Sequence, residues 1–118
     1  MFIVLGAISG FVAVALGAFG AHAMKEKLSP DMLQIFETGV RYQMYHALGL
    51  FAVAWAASHW PQAHIGGWLF VGGTLLFSGS LYALSLTGIR GFGAVTPVGG
   101  LMFLAGWLWL AWCVWRVQ

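Results

Sequence analysis

The chain contains 118 residues, of which 61% are hydrophobic and only 7% are charged, and its formal net charge is +2. Globular proteins carry roughly 25% charged residues, so this composition indicates a membrane protein. At about 20 residues per helical crossing, the length leaves room for one domain with at most four crossings. The five basic residues form no basic run, which argues against nucleic acid as a partner.

Four apolar runs predict four transmembrane helices. Each run is close to the length of a helix that spans the hydrocarbon core of a bilayer. The runs cover residues 2–23, 39–57, 65–86 and 95–114. We therefore predict an all-α fold, in which residues 1–118 form a single integral-membrane four-helix bundle.

The connection between the first two runs contains a helix start. Ser29 is a good N-cap residue, and Pro30 suits the first helical position. Leu33, Phe36 and Val40 then recur at helical spacing, while polar residues occupy the other faces. This pattern predicts a short helix that lies at the membrane interface before the second crossing.

The basic residues predict the orientation of the chain. With four crossings, the first and third connections share one membrane face, which holds Lys25, Lys27, Arg41 and Arg90 against Arg116 on the other face. The positive-inside rule places the first face in the cytoplasm. We therefore expect a multipass protein of the bacterial inner membrane with periplasmic termini. The tryptophans lie toward the terminal side and are expected to form an interfacial belt of Trp55, Trp60, Trp68, Trp107, Trp109, Trp112 and Trp115.

Small residues predict where helices pack closely. In the first crossing they alternate at spacings of four and three, which places them along one helix face. These residues are Gly6, Gly10, Ala13, Gly17 and Gly20. Gly79 belongs to a shorter stripe of the third crossing. Such stripes serve contacts either within a bundle or between subunits.

Polar residues at the start of the second crossing form the candidate site. Ionisable side chains cost roughly 2.5 to 3.5 kcal/mol each at a transmembrane helix centre, so they usually have a partner or a function. Tyr42, Tyr45 and His46 share one helix face, and a polar face of the third crossing reaches a similar depth. Glu37 and Arg41 have the i,i+4 spacing of a helical ion pair. The predicted polar cluster comprises His22, Glu37, Arg41, Tyr42, Gln43, Tyr45, His46, Ser78 and Tyr82.

This polar cluster has four interpretations. Its members make buried hydrogen bonds that fix helix packing, or Arg41 and the aromatic residues bind an anionic or quinone-like headgroup. Alternatively, His46 serves a proton or solute pathway, or His22 and His46 hold a metal or haem. No HxxxH or CxxC spacing supports this last interpretation, so no metal and no cofactor are predicted.

The sequence does not predict catalysis. The carboxylates Glu26, Asp31 and Glu37 lie in or beside one connection, and no G-x-S-x-G motif is present. We therefore expect a non-enzymatic, oligomeric or accessory membrane component, alone or in a larger membrane complex, that binds a lipid or small hydrophobic ligand. The alternative is a minimal oligomeric transporter or channel that uses the polar cluster around Arg41 and His46.

Four ordered motifs resemble a known family. They are GAFGAHA at 17–23, FETGVRYQMYHALG at 36–49, FSGSLY at 77–82 and TPVGG at 96–100. Together they resemble the small bacterial membrane proteins of the domain of unknown function 423 family. The resemblance implies a four-helix multipass membrane protein and supplies no established reaction. It draws attention to the motif residues His22, Arg41, Tyr42, Gln43, His46, Ser80, Tyr82, Thr96 and Pro97.

Overall fold

The computed structural model describes residues 1–116 and contains four α-helices, with no strand among those residues. The predicted all-α class is therefore confirmed. The helices are α1 (Phe2–Phe19), α2 (Pro30–His59), α3 (His64–Thr87) and α4 (Thr96–Trp115). Residues 117 and 118, which end the predicted single domain, lie outside the described residues.

Short turns join the helices. A turn of π-helix, Gly20–Met24, extends α1 into the first connection. Turns of 3-10 helix, Pro61–Ala63 and Arg90–Ala94, precede α3 and α4. Gly88 caps the end of α3 after Thr87, and its φ of 74° lies in the left-handed region that glycine adopts without steric penalty.

Helix α2 begins where its capping residues predict. Ser29 Oγ accepts a hydrogen bond from the Met32 N–H at 3.3 Å, and Pro30 occupies the first turn. The helix then continues to His59, because no proline stops it before Pro61. The expected short interfacial helix is therefore not a separate element, since its residues form the first turns of a 30-residue helix.

The helices pack in chain order, and each runs antiparallel to the next. Helix α1 packs on α2, α2 on α3 and α3 on α4, whereas α4 touches α2 lightly and does not pack closely against α1. Side chains from all four helices meet in the core, which contains Phe2, Leu50, Val53, Phe70 and Phe103. Helices α1 and α4 thus flank a central α2–α3 pair.

Two glycines of α1 hold it close to α2. A Cβ atom at Gly6 would lie 2.8 Å from the carbonyl oxygen of Ala47, and one at Gly20 would lie 2.8 Å from Cε1 of Phe36. Both distances are shorter than real Cβ contacts, so only glycine fits without displacement of a neighbour. The small stripe of α1 therefore faces α2 of the same chain.

The other glycines of the predicted stripes are less crowded. A Cβ at Gly17 would lie 3.3 Å from Val40, and one at Gly10 would lie 3.9 Å from Ala47. A Cβ at Gly79 would meet no atom of another element within 4 Å among residues 1–116, so the expected packing contact is absent from the described part of the chain. Helix α3 contacts α2 and α4 through other faces, which leaves Gly79 beside open space.

Three segments among residues 1–116 are long and apolar enough to cross a membrane, namely Phe2–Met24, Pro61–Thr87 and Arg90–Trp115. Helix α2 is not among them, because Gln43, His46 and neighbouring polar residues reduce its apolar character. Many large apolar side chains point away from the other helices, including Phe11 at 75% and Leu108 at 73% exposure. Such a surface is expected of helices that face lipid.

Candidate ligand-binding groove between the second and fourth helices

His46 lies at the centre of the candidate site, with 4% of its surface exposed. Its Nδ1 atom is 2.6 Å from the carbonyl oxygen of Tyr42, and its Nε2 atom is 3.1 Å from Nε1 of Trp107. The indole N–H can only donate, so Nε2 accepts and the ring proton is assigned to Nδ1. Both nitrogens of a neutral imidazole are therefore satisfied within the protein.

Aromatic rings surround the imidazole of His46. Its ring stacks on Phe103, with centroids 3.5 Å apart and an angle of 5° between the planes. Phe70 presents its edge at 5.1 Å, and Tyr42 packs on Phe77 at 4.7 Å. These contacts join α2, α3 and α4, so the histidine is a packing residue as well as a polar one.

An open groove of about 780 Å³ runs beside this aromatic cluster, which we call the α2–α4 groove. Its lining is mostly apolar and consists of Tyr42, Tyr45, His46, Pro97, Gly100, Leu101, Phe103, Leu104 and Trp107. Tyr42 and Tyr45 are 39% and 53% exposed, and their hydroxyls have no hydrogen-bond partner within residues 1–116. The groove therefore combines an apolar wall with unengaged phenol groups.

The charged residues of the cluster lie on the surface of α2. Arg41 Nη2 is 3.8 Å from Glu37 Oε2, and the two side chains are 60% and 45% exposed. The i,i+4 spacing thus places the predicted pair together, although exposure and the long distance make the interaction weak. Arg41 precedes Tyr45, which lines the α2–α4 groove, by one helical turn, and Arg41 itself lies outside that lining.

Gln43 lies away from the groove, at the interface of α1, α2 and α3. Its Nε2 donates to the carbonyl oxygen of Ser9 at 3.0 Å, and its Oε1 accepts from the Tyr82 hydroxyl at 2.6 Å. Ser78 nearby donates to the carbonyl oxygen of Gly39 at 2.6 Å. These bonds join α1, α2 and α3 and leave no buried side-chain polar atom unpaired among the described residues.

The predicted polar cluster is therefore divided in the structure. Gln43, Ser78 and Tyr82 form interhelical hydrogen bonds, whereas Tyr42, Tyr45 and His46 face α4. Glu37 and Arg41 remain exposed on the surface of α2. His22 is exposed in the π-helical turn and does not join either group.

Sequence reasoning missed the two α4 residues that contact His46. Trp107 was expected in the interfacial belt, yet it bonds to a histidine 61 positions earlier in the chain. The contact of Phe103 could have been predicted from the sequence. Gly99 and Gly106 are a heptad apart, and Phe103 lies between them on the same small-residue face, which is the face expected at a helix contact.

The described residues contain no group of three histidine, cysteine or acidic side chains that could hold a metal ion. His22 and His46 were considered as a pair of metal ligands, but His22 is exposed in the π-helical turn and His46 is buried in α2. The residues that line the α2–α4 groove offer aromatic packing and hydrogen bonding from the hydroxyls of Tyr42 and Tyr45.

Fold and surface together define an all-helical multipass membrane protein. The chain belongs to the DUF423 family, since the family model described as a protein of unknown function matches residues 16–100. The resemblance recognised in the sequence motifs is thus confirmed. No solved structure gives a significant match.

Curated relatives cover most of the chain. The UPF0382 membrane protein YwdK of Bacillus subtilis is 51% identical over 111 residues, which cover 92% of this chain and 90% of the relative. The UPF0382 membrane protein SSP2132 of Staphylococcus saprophyticus is 48% identical over 112 residues, covering 93% and 92%. The UPF0382 inner membrane protein YgdD of Escherichia coli K12 is 43% identical over 111 residues, covering 89% and 82%.

Proposed function

We propose that this protein is a non-enzymatic component of the bacterial inner membrane that binds a lipid or another small hydrophobic molecule in the α2–α4 groove. The observation that carries the proposal is the groove of about 780 Å³, whose apolar wall borders two phenol hydroxyls without partners among the described residues. An amphiphilic molecule matches both surfaces, because its chain contacts the wall and its polar end meets the hydroxyls.

We also propose that α2 is a fourth membrane crossing. Its contacts support this, because it runs beside both neighbours over their length. Gly39 of α2 faces Tyr82 near the end of α3, and Gly49 faces Phe70 nearer its start. Gly6 of α1 is equally close to α2. If α1 and α3 cross the bilayer, their shared neighbour has to cross with them, and its buried Gln43 and His46 side chains are then bonded to the other helices.

The proposed orientation has periplasmic termini. Lys25, Lys27 and Arg90 lie in the connections at one end of the helices, whereas Arg116 is at the other end. This distribution supports a cytoplasmic position for the first end by the positive-inside rule. The name of the Escherichia coli relative supports placement in an inner membrane.

The bilayer is the proposed partner of the protein. An oligomeric or accessory role requires contact with another chain, and the small stripe of α1 does not supply it, because Gly6 and Gly20 pack against α2. The mass of the purified protein in detergent tests the proposal of a homo-oligomer or larger complex.

A transport pathway has less support, because the polar side chains of Gln43 and Ser78 form hydrogen bonds inside the helix contacts. They do not continue the polar surface of Tyr45.

Native mass spectrometry with added dioleoylphosphatidylcholine tests ligand binding in the groove. Gly100→Phe places a ring in the groove, and the nearest atom to the new Cβ is Phe77 Cδ2 at an ordinary 3.8 Å. Gly79→Phe is the matched control, because no atom lies within 4 Å of its Cβ. We expect Gly100→Phe to retain less lipid than Gly79→Phe at equal thermal stability. Equal lipid retention by the two variants would refute the groove as a binding site.

A further inference from the structure

We infer that the ligand of the α2–α4 groove is an anionic phospholipid, with an acyl chain along α4 and its phosphate held by Arg41 and the Tyr45 hydroxyl. This inference rests on the proposed function and adds the chemical class of the ligand. Its starting point is the set of polar atoms that the protein leaves free beside the groove.

Hydrogen-bond donors dominate that set. The two nitrogens of His46 are engaged with Tyr42 and Trp107, and the indole N–H of Trp107 is engaged in turn. Within residues 1–116 the free groups are therefore the hydroxyls of Tyr42 and Tyr45 and most of the Arg41 guanidinium. A ligand head that accepts hydrogen bonds can engage all of these groups, whereas a head that only donates can engage the two hydroxyls and not the guanidinium.

The position of Arg41 favours a phosphate as that acceptor. Its side chain is 60% exposed and contacts Glu37 at 3.8 Å through one nitrogen, which leaves its other N–H groups available. A guanidinium presents a planar fork of donors that matches phosphate oxygens, and it keeps its charge at any physiological pH. The long side chain also reaches from a membrane helix toward the headgroup region, where lipid phosphates lie.

Charge at this end of the molecule favours an anionic lipid over a zwitterionic one. Lys25, Lys27 and Arg90 lie at the same end as Arg41, together with the acidic residues Glu26, Asp31 and Glu37, so four basic and three acidic side chains give this end a net charge of +1. A choline or ethanolamine group adds a cation to an end that already has a net positive charge, whereas a glycerol headgroup adds none. The apolar part of the ligand is accommodated by Leu101 and other groove residues of α4.

Competition between two lipids with identical chains tests the inference. The wild-type protein and its variants are mixed with equal amounts of dioleoylphosphatidylglycerol and dioleoylphosphatidylcholine, and bound lipids are counted by native mass spectrometry. We expect the wild type to prefer the glycerol lipid about fivefold, the size of effect expected of one basic side chain near an anionic surface. Arg41→Gln should bring the ratio close to one, and Arg41→Lys should retain part of the preference.

Arg90→Gln is the matched control, because it removes one exposed positive charge from the same end outside the groove. It should lower the preference less than Arg41→Gln does, because Arg90 adds only to the general charge at this end. Equal binding of the two lipids by the wild type, or the same preference in Arg41→Gln, would overturn the inference and leave the groove proposal intact. Displacement of the lipid by an excess of soluble glycerol 3-phosphate would also overturn it, because the acyl chain would then be unnecessary. Lipid binding that Gly100→Phe does not reduce would instead refute the groove itself.

Discussion

Trp107 donates its indole N–H to Nε2 of His46 across 3.1 Å, and within residues 1–116 this is the one side-chain hydrogen bond that joins α2 to α4. Helix α4 otherwise packs mainly on α3. The bond therefore fixes the distance between the two walls of the α2–α4 groove. Its two residues also line that groove, so packing and the proposed binding surface share the same atoms.

Replacing the histidine should weaken the protein measurably. His46→Ala removes the ring stacked on Phe103 and leaves the Trp107 N–H without its acceptor. We expect the free energy of unfolding to fall by about 2 kcal/mol, measured by thermal melting in detergent. His22→Ala serves as a control, because His22 is exposed and has no hydrogen bond in the described structure. Identical melting of both variants would show that the His46 contacts do not stabilise the fold.

The buried amide of Gln43 should be energetically coupled to the phenol of Tyr82. Their hydrogen bond is 2.6 Å long and connects α2 to α3. In a double-mutant cycle, Gln43→Leu and Tyr82→Phe should show a coupling energy of about 1 kcal/mol. Ser80→Ala supplies the control cycle with Gln43→Leu, because Ser80 bonds to Thr96 instead. If the Gln43–Tyr82 cycle shows a coupling energy as small as that of the Gln43–Ser80 cycle, the prediction is contradicted.

Two glycines on one face of α1 should respond differently to the same substitution. Gly6→Ala forces a methyl group to within 2.8 Å of the Ala47 carbonyl oxygen, so we expect a loss of about 1 to 3 kcal/mol in unfolding free energy. Gly10→Ala meets only the Ala47 side chain at 3.9 Å. Its stability should stay equal or rise by up to about 1 kcal/mol, because alanine favours the helix. Thermal melts that fail to separate the two variants would argue against close packing at Gly6.

Labelling of introduced cysteines tests the fourth crossing. In a Cys113→Ala background, Lys27→Cys and Gln62→Cys place thiols at exposed positions before and after α2. A membrane-impermeant maleimide should label position 62 in intact spheroplasts and position 27 only after lysis. Labelling of both positions in intact cells would mean that α2 does not cross. The opposite pattern would retain the crossing and reverse the proposed orientation.

Local signals in the sequence were sufficient to locate the start of α2. Ser29 and Pro30 mark it because capping depends on neighbouring residues, and Pro61 marks the end of the helix for the same reason. The stripe from Gly6 to Gly20 also predicted a close helix contact, but its spacing does not identify the partner helix. The structure shows that α2 of the same chain is that partner.

The division of the polar cluster could not be read from helical periodicity. Gln43 and His46 are three residues apart and therefore lie near one another on α2. Gln43 nevertheless faces α1 and α3, whereas His46 faces α4. Which neighbour each one meets depends on the angles at which helices cross and on the order of packing. The crossing angles and the packing order depend on residues as distant in sequence as Ser9 and Trp107, so a local sequence pattern does not predict them.

The amide of Gln43 also bears on how the chain is assembled during synthesis. It donates to α1 and accepts from α3, so its bonding is complete once the first three helices are in the membrane. Because the N-terminal part of a chain is made first, these three helices can associate while α4 is still being translated. Helix α4 then adds to a preformed surface on α3, and the ring of His46 gains its bond to Trp107 only at this step.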